Sequence, residues 1–569
     1  MRIHFPPSLH TLLAWEWCAM VAVFLLAGTI GHDPWTGDET YGFGIIYHYY
    51  TTGTWLVPTN AGLPFMEKSP LYYWTAAIFC HLFGDTLPLH DAARLAIIPY
   101  LLLCLVFLWK TSQRLFAAHP DEERRVLDWI TLSLFLGSIG MVRYVHEMTT
   151  DVAFYTGTTI AVYGIALLLC APERWRGAGL WMGVGTGMAL MSKGFFVPAM
   201  LSMVGLALLV LVPSLRSRNT AAAIGVAALA MLPFLLWPVL LYLRDYPQFV
   251  EWFWNNNVGR FLGFSVKWLG AANRPFYFVE NTPWFVFPAF PLAVVGVLTT
   301  SWRDWRAPAF LLPLLVIVMG MTLLFLSASG RVHYLLPLFS SFALLAAPVL
   351  LRLPAWFLVG WNGFARLLFS AMVIGVWAIW WSIHIPGISL QERPFPFLAE
   401  FANRWISLDF TPGTQTIACM MAVAITLFWL ASFRLNARDA RHTAYIWLVG
   451  MAAVWTTIFT LLLPWIDNTK SQRGMLASLI RTVDTLPEKD ECMDGYWIGE
   501  SLPSMIQYWH GGRIVLLKEF EEISCPMVLA LQRKNEPESE FLGWKVMWRG
   551  RRLRNDGGKE YRLYVRQRD

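Results

Sequence analysis

Two acidic residues, Asp38 and Glu39, follow the first apolar segment of the chain, and Lys68 comes thirty residues after Asp38 in the sequence GLPFMEKSP. All three lie in the longest loop between the early apolar segments. A carboxylate can act as a general base, and a lysine can bind a phosphate. Ionisable groups near a membrane are costly, which favours a functional role. The same charges would also fit a loop end that is merely solvated.

The composition indicates a helical membrane protein. The chain has 569 residues, of which 56% are hydrophobic and 14% charged, and its mean hydropathy is +0.47. Apolar runs of about 15 to 25 residues recur from Thr11 to Ile466, long enough to span a bilayer. Glu16 interrupts the first run, which is therefore unlike a cleaved signal peptide. The net charge of +6 comes without a basic stripe of interleaved aromatics, so no nucleic-acid partner is predicted.

The number of membrane spans depends on one short segment, Leu71–Gly84. Its fourteen residues, with Tyr72, Tyr73 and Trp74 near the start, favour an interfacial helix over a span. Without this segment, thirteen spans are predicted. They cover residues 12–31, 91–109, 127–142, 152–170, 178–191, 195–213, 219–243, 282–300, 306–327, 333–351, 362–384, 413–434 and 443–466.

Charges near the span ends predict the orientation. With thirteen spans and the N-terminus inside, every short cytoplasmic loop is basic, as the positive-inside rule requires. The opposite face then collects a set of isolated charges: Asp38, Glu39, Lys68, Arg143, Asp151, Lys193, Arg260 and Arg331. Counting Leu71–Gly84 as a span would separate Asp38 from Asp151. We therefore expect a multi-pass membrane protein whose site lies on the outer face.

Residues 467–569 are much richer in charge than the rest of the chain. Alternating patterns predict four strands, at Arg513–Leu517, Val528–Gln532, Trp544–Trp548 and Tyr561–Val565. Helices are predicted near Gln472–Thr485 and Leu502–Trp509. The chain therefore divides into a transmembrane domain, residues 1–466 with a first outer loop at 32–90, and a small α/β domain, residues 467–569. An odd number of spans places this second domain outside.

Two cysteines, Cys492 and Cys525, fall in the predicted outer domain. An oxidising compartment would permit a disulfide between them. Because Cys525 precedes Pro526 beside a predicted strand, it could instead be buried as a small apolar residue. The sequence leaves these alternatives open. The chain has no CxxC pair and no Cys/His spacing typical of zinc ligands, so no metal site is predicted.

Six short motifs occur in the order found in bacterial integral-membrane glycosyltransferases of the C type: GDET, LPFMEKSPLYYW, EMTTDVAF, MSKGF, NNNVGRF and SGRVHYLLPL. The chain thus resembles the family that includes the aminoarabinose–lipid A transferases and the protein O-mannosyltransferases. The resemblance covers roughly Leu12–Leu350, with a looser match at ESLPSMIQYWHGGR in the C-terminal domain. The acid pair followed by EK-x-P is the most specific of these motifs.

This resemblance implies a fold, a donor and an acceptor class. The fold is α-helical and polytopic, with about 13 transmembrane helices and a small α/β periplasmic C-terminal domain. The protein would lie in the bacterial inner membrane, with its active site facing the periplasm. The donor is a sugar linked to a polyprenyl phosphate, so no nucleotide-binding motif is needed and no cofactor is expected. The need for a metal stays open. The acceptor would be lipid A, another glycolipid or an exported protein.

The resemblance also implies roles for individual residues. Three carboxylates are candidates for catalysis: Asp38, Glu39 and Asp151. Four cations are candidates for binding the donor phosphate: Lys68, Lys193, Arg260 and Arg331. Three further residues are candidates for substrate binding: Phe65, Glu67 and Tyr334.

The chemistry of sugar transfer fits these assignments. Breaking the sugar–phosphate bond leaves a polyprenyl phosphate, and cations would hold its growing charge. Arg260 and Arg331 could instead extend to lipid headgroups, and Lys193 could merely cap its helix. A hydroxyl acceptor needs a general base such as Asp38. A phosphate acceptor is already anionic, so Asp38 would then orient it or stabilise an oxocarbenium-like sugar.

Two departures from the family pattern bear on the substrate. The lipid A branch has DETRYAE and EKPP where this chain has DETYGFG and EKSP. These changes affect the sugar end of the family site, so the reaction class is predicted but aminoarabinose is not. Three functions remain: a transferase that modifies lipid A or another envelope glycolipid, a transferase acting on exported proteins, and a transporter or flippase. A transporter would place ionisable groups near the midplane, whereas here they cluster at one face.

Overall fold

The computed structural model describes residues 7–266, 272–301, 303–384, 389–408, 410–413, 415–511, 514–517, 522–533, 543–552 and 559–567. Helices joined by short turns make up most of the chain. The longer α-helices before the C-terminal sheet are Pro7–Leu26, Gly37–Thr52, Leu71–Phe83, Ile97–Leu115, Asp121–Leu136, Asp151–Cys170, Trp175–Lys193, Phe196–Leu211, Arg218–Arg244, Tyr277–Phe285, Ala289–Thr299, Pro308–Leu326, Phe339–Arg352, Ala355–Ile383, Pro396–Asn403, Thr416–Ala431, Ala440–Leu461 and Leu463–Lys470. Shorter helical segments lie at Leu89–Arg94, Ile139–Tyr144, Tyr246–Val250, Glu251–Gly259, Arg260–Leu262 and Val332–Leu338.

Among the described residues, eight helices are long and apolar enough to cross a membrane: Leu89–Leu115, Asp151–Cys170, Arg218–Arg244, Pro308–Leu326, Val332–Arg352, Ala355–Ile383, Thr416–Arg434 and Ala440–Leu461. A ninth results if Tyr277–Phe285 and Ala289–Thr299, bent by 106°, form one span. The predicted polytopic helical protein is thereby confirmed, while the count of thirteen remains a prediction. Some predicted spans are too short or too polar for this criterion: Phe196–Leu211 has 16 residues, and Asp121–Leu136 begins with DEERR.

The helix Asp151–Cys170 lies at the centre of the bundle and is buried along nearly its whole length. It packs closely against Trp175–Lys193 because glycines face it. A Cβ atom on Gly185 would lie only 2.3 Å from the backbone nitrogen of Ala161. Small residues at such a crossing let two membrane helices approach. As a result, the start of Asp151–Cys170 and the end of Trp175–Lys193 lie side by side.

The first outer loop contains the helix Gly37–Thr52, a short antiparallel hairpin and the helix Leu71–Phe83. The hairpin consists of β1, Thr59–Asn60, and β2, Leu63–Pro64. The first of these helices begins where the Thr36 side chain accepts the backbone N–H of Glu39. It ends at Gly53, whose φ of 65° lies in the left-handed region that glycine adopts readily. Capping thus fixes the position of the acid pair in the first turn.

The C-terminal region forms a five-stranded sheet. Its strands are β3, Met493–Tyr496; β4, Ile514–Leu517; β5, Met527–Arg533; β6, Trp544–Gly550; and β7, Lys559–Arg566. Their spatial order is β4-β3-β5-β7-β6, with β3 parallel to both neighbours and β7 antiparallel to both of its own. The helices Arg473–Val483 and Ser501–His510 accompany the sheet.

The four predicted strands and two predicted helices are present, whereas β3 was missed because its sequence MDGY lacks apolar alternation. The helix Leu463–Lys470 runs across the predicted domain boundary, which remains a prediction.

A disulfide joins Cys492 to Cys525, with their Cα atoms 5.3 Å apart. The pairing follows from the sheet, because Cys492 immediately precedes β3 and Cys525 lies just before the adjacent strand β5. Asp494 accepts hydrogen bonds from the backbone N–H groups of Ser524 and Cys525, at 2.9 and 2.8 Å, and so fixes the same corner. Of the two alternatives that the sequence left open, the disulfide is the one present.

Candidate functional site

Asp38 lies in the first turn of the helix Gly37–Thr52, where a carboxylate complements the helix dipole. Tyr41, one turn later, donates its hydroxyl hydrogen bond to Asp38 Oδ1 over 2.5 Å. The Arg331 guanidinium, at the start of Val332–Leu338, lies 3.6 Å from the same oxygen. The Asp38 side chain is 29% exposed, so a substrate can reach it.

The surroundings of Asp38 keep it ionised. Burial by itself raises the pKa of Asp38, but the positive charge of Lys68 and the hydrogen bond from Tyr41 act in the opposite direction. The charge of Arg331 adds to them, and the net pKa lies below the usual value. At neutral pH the side chain is therefore a carboxylate, able to accept a proton or to stabilise positive charge.

Lys68 lies between the hairpin and the helix Leu71–Phe83. The hydroxyl of the adjacent Ser69 donates to the carbonyl oxygen of Leu190 and accepts from Nε1 of Trp252, both at 3.1 Å, which fixes this part of the chain. Lys68 is only 8% exposed. Its ammonium makes no hydrogen bond or ion pair with any residue that the structure describes. Because Lys68 lines the cavity described below and has no carboxylate in contact with its ammonium, this group is suited to an anionic ligand.

Glu67, the residue before Lys68, forms an ion pair with Arg260. Arg260 directly follows the π-helix Glu251–Gly259, a type of helix often found at functional sites. Burial by itself raises the pKa of Glu67, but the charges of Lys68 and Arg260 hold it below the usual value. Arg260 is 9% exposed and points inward, so the alternative in which it extends to lipid headgroups is not what the structure shows.

Lys193 and Asp151 form a second buried ion pair. Lys193 ends one helix and Asp151 begins its close neighbour, and Nζ lies 2.5 Å from Oδ1. The Nζ atom also lies 5.5 Å from the ring centre of Tyr334 and 5.9 Å from that of Phe154. The ammonium thus points across the helix interface rather than capping its own helix.

A cavity of about 550 Å³ is lined by some of these groups, whereas Asp38, Asp151 and Arg331 are not among its lining residues. Its polar end carries Glu67, Lys68, Lys193, Arg260 and Tyr334. The remainder is largely apolar and is lined by Phe195, Phe196, Ala199, Phe253, Phe261, Leu262, Leu323 and Leu324. Three cations against one carboxylate make the lining of the polar end positive. The shape and charge suit an amphiphile with an anionic head and an apolar tail.

The chain is similar in sequence to known membrane glycosyltransferases. The sequence model of the dolichyl-phosphate-mannose-protein mannosyltransferase family matches residues 67–237. The undecaprenyl phosphate-alpha-4-amino-4-deoxy-L-arabinose arabinosyl transferase of Aeromonas salmonicida is 26% identical over 353 residues, which cover 59% of each chain. A protein of the same name from Pseudomonas fluorescens is 25% identical over 414 residues, 72% of this chain and 73% of its own.

Solved structures extend the likeness over nearly the whole chain. ArnT from Cupriavidus metallidurans bound to undecaprenyl phosphate matches with a TM-score of 0.66 and 15% identity, covering 97% of this chain and 98% of its own. The apo state of the same protein gives 0.67. The chain has the fold of the C-type glycosyltransferases. The resemblance predicted from the motifs is thereby confirmed.

Within this C-type fold the two members of the acid pair face different surroundings. Glu39 is 2% exposed and lies 2.6 Å from the Nε atom of Arg94, which is itself fully buried. Its other oxygen accepts the backbone N–H of Trp35 at 3.1 Å. Glu39 therefore holds the outer loop to the bundle and does not line the cavity. Phe65 does not line the cavity either, since its ring stacks on Tyr41 at 4.7 Å between centres.

Sequence reasoning missed Tyr41, Arg94 and His333. Tyr41 follows Asp38 by one helical turn, a spacing that brings side chains together and could have indicated the contact. Arg94 stands in an apolar stretch, where a lone arginine is itself a signal. His333 is buried, lies 3.3 Å from the hydroxyl of Tyr144 and acts electrostatically on Asp38. Its partners are distant in sequence, so only the folded chain reveals its place.

Proposed function

We propose that this chain is a glycosyltransferase that moves a sugar from a polyprenyl phosphate to lipid A or a related envelope acceptor. The observation that carries the proposal is the ammonium of Lys68, which has no hydrogen bond or ion pair among the described residues and lies in the cationic end of a largely apolar cavity. The arabinosyl transferases to which the chain is similar are named for an undecaprenyl phosphate donor, and ArnT is described as bound to undecaprenyl phosphate.

The two ends of the cavity fit the two parts of such a donor. The phosphate would lie against Lys68, with Arg260 and Lys193 nearby, because charge-assisted hydrogen bonds to phosphate are strong. The prenyl chain would occupy the part lined by Phe253, Phe261 and their neighbours. This part adjoins membrane helices such as Pro308–Leu326, so the lipid need not leave an apolar environment.

Asp38 is the group best placed for the transfer step. An acceptor oxygen would form a bond to the anomeric carbon while the bond from that carbon to the donor phosphate breaks. The electron pair of the broken bond stays on the polyprenyl phosphate, where Lys68 stabilises it. If the acceptor is a hydroxyl, Asp38 takes its proton. If the acceptor is a phosphate, no proton is transferred, and the carboxylate stabilises the positive charge that develops on the sugar.

Two observations support a periplasmic site. The short loops on the other side are basic, which is typical of cytoplasmic loops. The disulfide between Cys492 and Cys525 suits an oxidising compartment. In intact spheroplasts an impermeant maleimide should label a cysteine placed at Asp85 or Asp490 but not at Ser214. Labelling of only one of the two cysteines, at Asp85 or at Asp490, would contradict this topology.

Reconstitution tests the proposed reaction. The purified protein in nanodiscs would receive undecaprenyl-phosphate-linked sugars with a labelled sugar, together with lipid A and, separately, exported proteins. The expected result is label in lipid A, lost in an Asp38→Asn variant. Label in the protein fraction would identify the protein O-glycosyltransferase instead. Absence of transfer and of donor cleavage with every donor and acceptor would overturn the proposal. Mass spectrometry of lipid A and envelope glycans from a deletion strain would name the sugar.

A further inference from the structure

A short helix, Pro396–Asn403, lies in the loop that connects the membrane helices Ala355–Ile383 and Thr416–Ala431. We refer to Pro396–Asn403 as the loop helix. Ala399 and Ala402 are buried on one side of it, where it packs against Ala355–Ile383. Most of its remaining residues are exposed. The loop helix therefore has one side that belongs to the protein core and one that faces outward.

Large aromatic side chains make up much of the outward side. Phe397, Phe401 and Trp405 follow one another at a spacing of four residues, which places side chains on one face of a helix. They are 66%, 51% and 69% exposed. Phe395, just before the loop helix, has a strained φ of 52° and is exposed as well. A contiguous group of exposed apolar residues marks a contact with a protein or a membrane.

Hydrogen bonds hold the beginning of this segment at the end of the preceding membrane helix. The Arg393 guanidinium donates to the carbonyl oxygens of Ser382 and Ile383, at 3.3 and 3.0 Å. The Ser382 hydroxyl donates to the carbonyl oxygen of Phe395 at 3.3 Å. Ile406, just after the loop helix, packs in one apolar cluster with Ile383. The loop helix is thereby fixed level with the last turn of this membrane helix.

Two tryptophans indicate the depth of that last turn in the membrane. Trp356 and Trp381 lie near opposite ends of Ala355–Ile383 and are 75% and 55% exposed. Their separation along the helix is about 37 Å at a rise of about 1.5 Å per residue. A bilayer is about 30 Å thick in its hydrocarbon core and about 40–45 Å with its headgroups. Each tryptophan therefore falls in an interfacial region, where this residue is enriched, and Trp381 directly precedes Ser382.

The two membrane helices that flank the loop are exposed along most of their length. Only 22% of the residues are buried in the most apolar stretch of each. Leu367 and Ile374 on the first helix are exposed, as are Ile417 and Leu427 on the second. In a bilayer, apolar side chains exposed on such helices contact lipid. The aromatic side of the loop helix thus adjoins a lipid-facing surface.

We propose that the loop helix lies in the membrane interface, with Phe397, Phe401 and Trp405 inserted among the lipids. An amphipathic helix at this depth buries its apolar face at the boundary between headgroups and acyl chains. Arg404 is exposed beside the aromatic residues and would reach the lipid phosphates. The partner of this surface is therefore the bilayer itself, whichever reaction the protein catalyses.

Spin-label accessibility in nanodiscs tests this proposal. A nitroxide is attached to a single cysteine at Phe397 or Phe401 of the full-length protein. The reference sites are Leu367, exposed within a membrane helix, and Asp490, exposed in the C-terminal region. Power saturation compares collisions with oxygen, which concentrates in lipid, and with a water-soluble nickel chelate. The protein carries serine in place of its three free cysteines that are not buried: Cys18, Cys170 and Cys419.

The ratio of oxygen to nickel collisions should be several-fold higher at Phe397 and Phe401 than at Asp490, and closer to the ratio at Leu367. A ratio equal to that at Asp490 would overturn the proposal, because the aromatic side would then face water. Exclusion of both reagents would also overturn it, because a protein surface, such as a second copy of the chain, would then cover these residues.

A second measurement needs no substitution. The wild-type protein in nanodiscs is irradiated with a phospholipid that carries a photoreactive group near the top of its acyl chain. Mass spectrometry should find the lipid attached to the segment from Phe397 to Trp405 as well as near Trp381. Attachment near Trp381 without attachment to the loop helix would contradict the proposal.

Discussion

The guanidinium of Arg331 lies 3.6 Å from the carboxylate of Asp38, although the two residues are far apart in the chain. Asp38 begins a helix of the first outer loop, and Arg331 precedes the helical segment Val332–Leu338. The positive charges of Arg331 and Lys68 both stabilise the ionised form of the proposed catalytic carboxylate.

Replacing Asp38 with asparagine should reduce sugar transfer at least about a hundredfold, because a positioned proton acceptor or charge contributes that much. The side chain is partly exposed and not part of the core, so expression and thermal stability should stay close to wild type. Turnover by purified protein measures the effect. Undecaprenyl phosphate binding should persist and serves as the control. Near-normal turnover would refute the catalytic role.

The acidic side of the pH profile should depend on Arg331. In the wild-type protein the pKa of Asp38 lies below its usual value, so the carboxylate stays ionised and activity is lost only as the pH falls through that lowered value. Arg331→Gln removes one positive charge and raises this pKa. The acidic limb of kcat/KM should therefore move towards neutral pH, and activity at pH 5 relative to pH 7 should fall more than in wild type. An unchanged ratio would show that Arg331 does not act on Asp38.

Glu39→Ala should lower the stability of the folded protein and should not act directly on the sugar-transfer step. Removing one partner of a buried ion pair costs up to about 3–5 kcal/mol. The loss should be smaller here, because Arg94 keeps a second carboxylate partner, Asp91, at 2.8 Å. Arg94, the partner, is fully buried. Thermal unfolding in detergent measures the change, with the exposed Glu173→Ala as a matched control. A variant that is as stable as wild type yet inactive would instead place Glu39 in catalysis.

Thiol counting tests the C-terminal disulfide. Denatured, unreduced protein should show five reactive thiols, from Cys18, Cys80, Cys104, Cys170 and Cys419. Reduction should raise the number to seven, the total in the sequence. Closing this loop should stabilise the folded region by about 3–4 kcal/mol in the chain-entropy model. Seven thiols before reduction would contradict the bond.

Local sequence features predicted much of this architecture. Apolar length indicated the membrane helices, alternation indicated four of the five strands, and the order of motifs indicated the fold. The unpaired charge of Lys68 was conspicuous because ionisable groups are rare in so apolar a chain. These features depend on residues that are close in sequence, and the periodicity of such residues directly indicates helices and strands.

Long-range contacts could not be predicted in the same way. Nothing near Glu39 in sequence reveals that it pairs with Arg94 while its neighbour Asp38 lies beside Arg331. The helix Ser501–His510 belongs to a different region of the chain, and only the folded structure shows that it packs on the helix Gly37–Thr52. The alternative for Cys525, pairing or simple burial, was decided by the adjacency of β3 and β5. Each of these contacts depends on tertiary packing, which the spacing of residues in the sequence does not reveal.

The affinity of purified protein for undecaprenyl phosphate, compared between wild type and Lys68→Ala, tests the central claim most directly. Loss of a charge-assisted contact costs about 1.5–3 kcal/mol, so the variant should bind about ten- to a hundredfold more weakly. The exposed Lys489→Ala should bind as wild type does. Equal affinity of Lys68→Ala and wild type would contradict a phosphate site in this cavity.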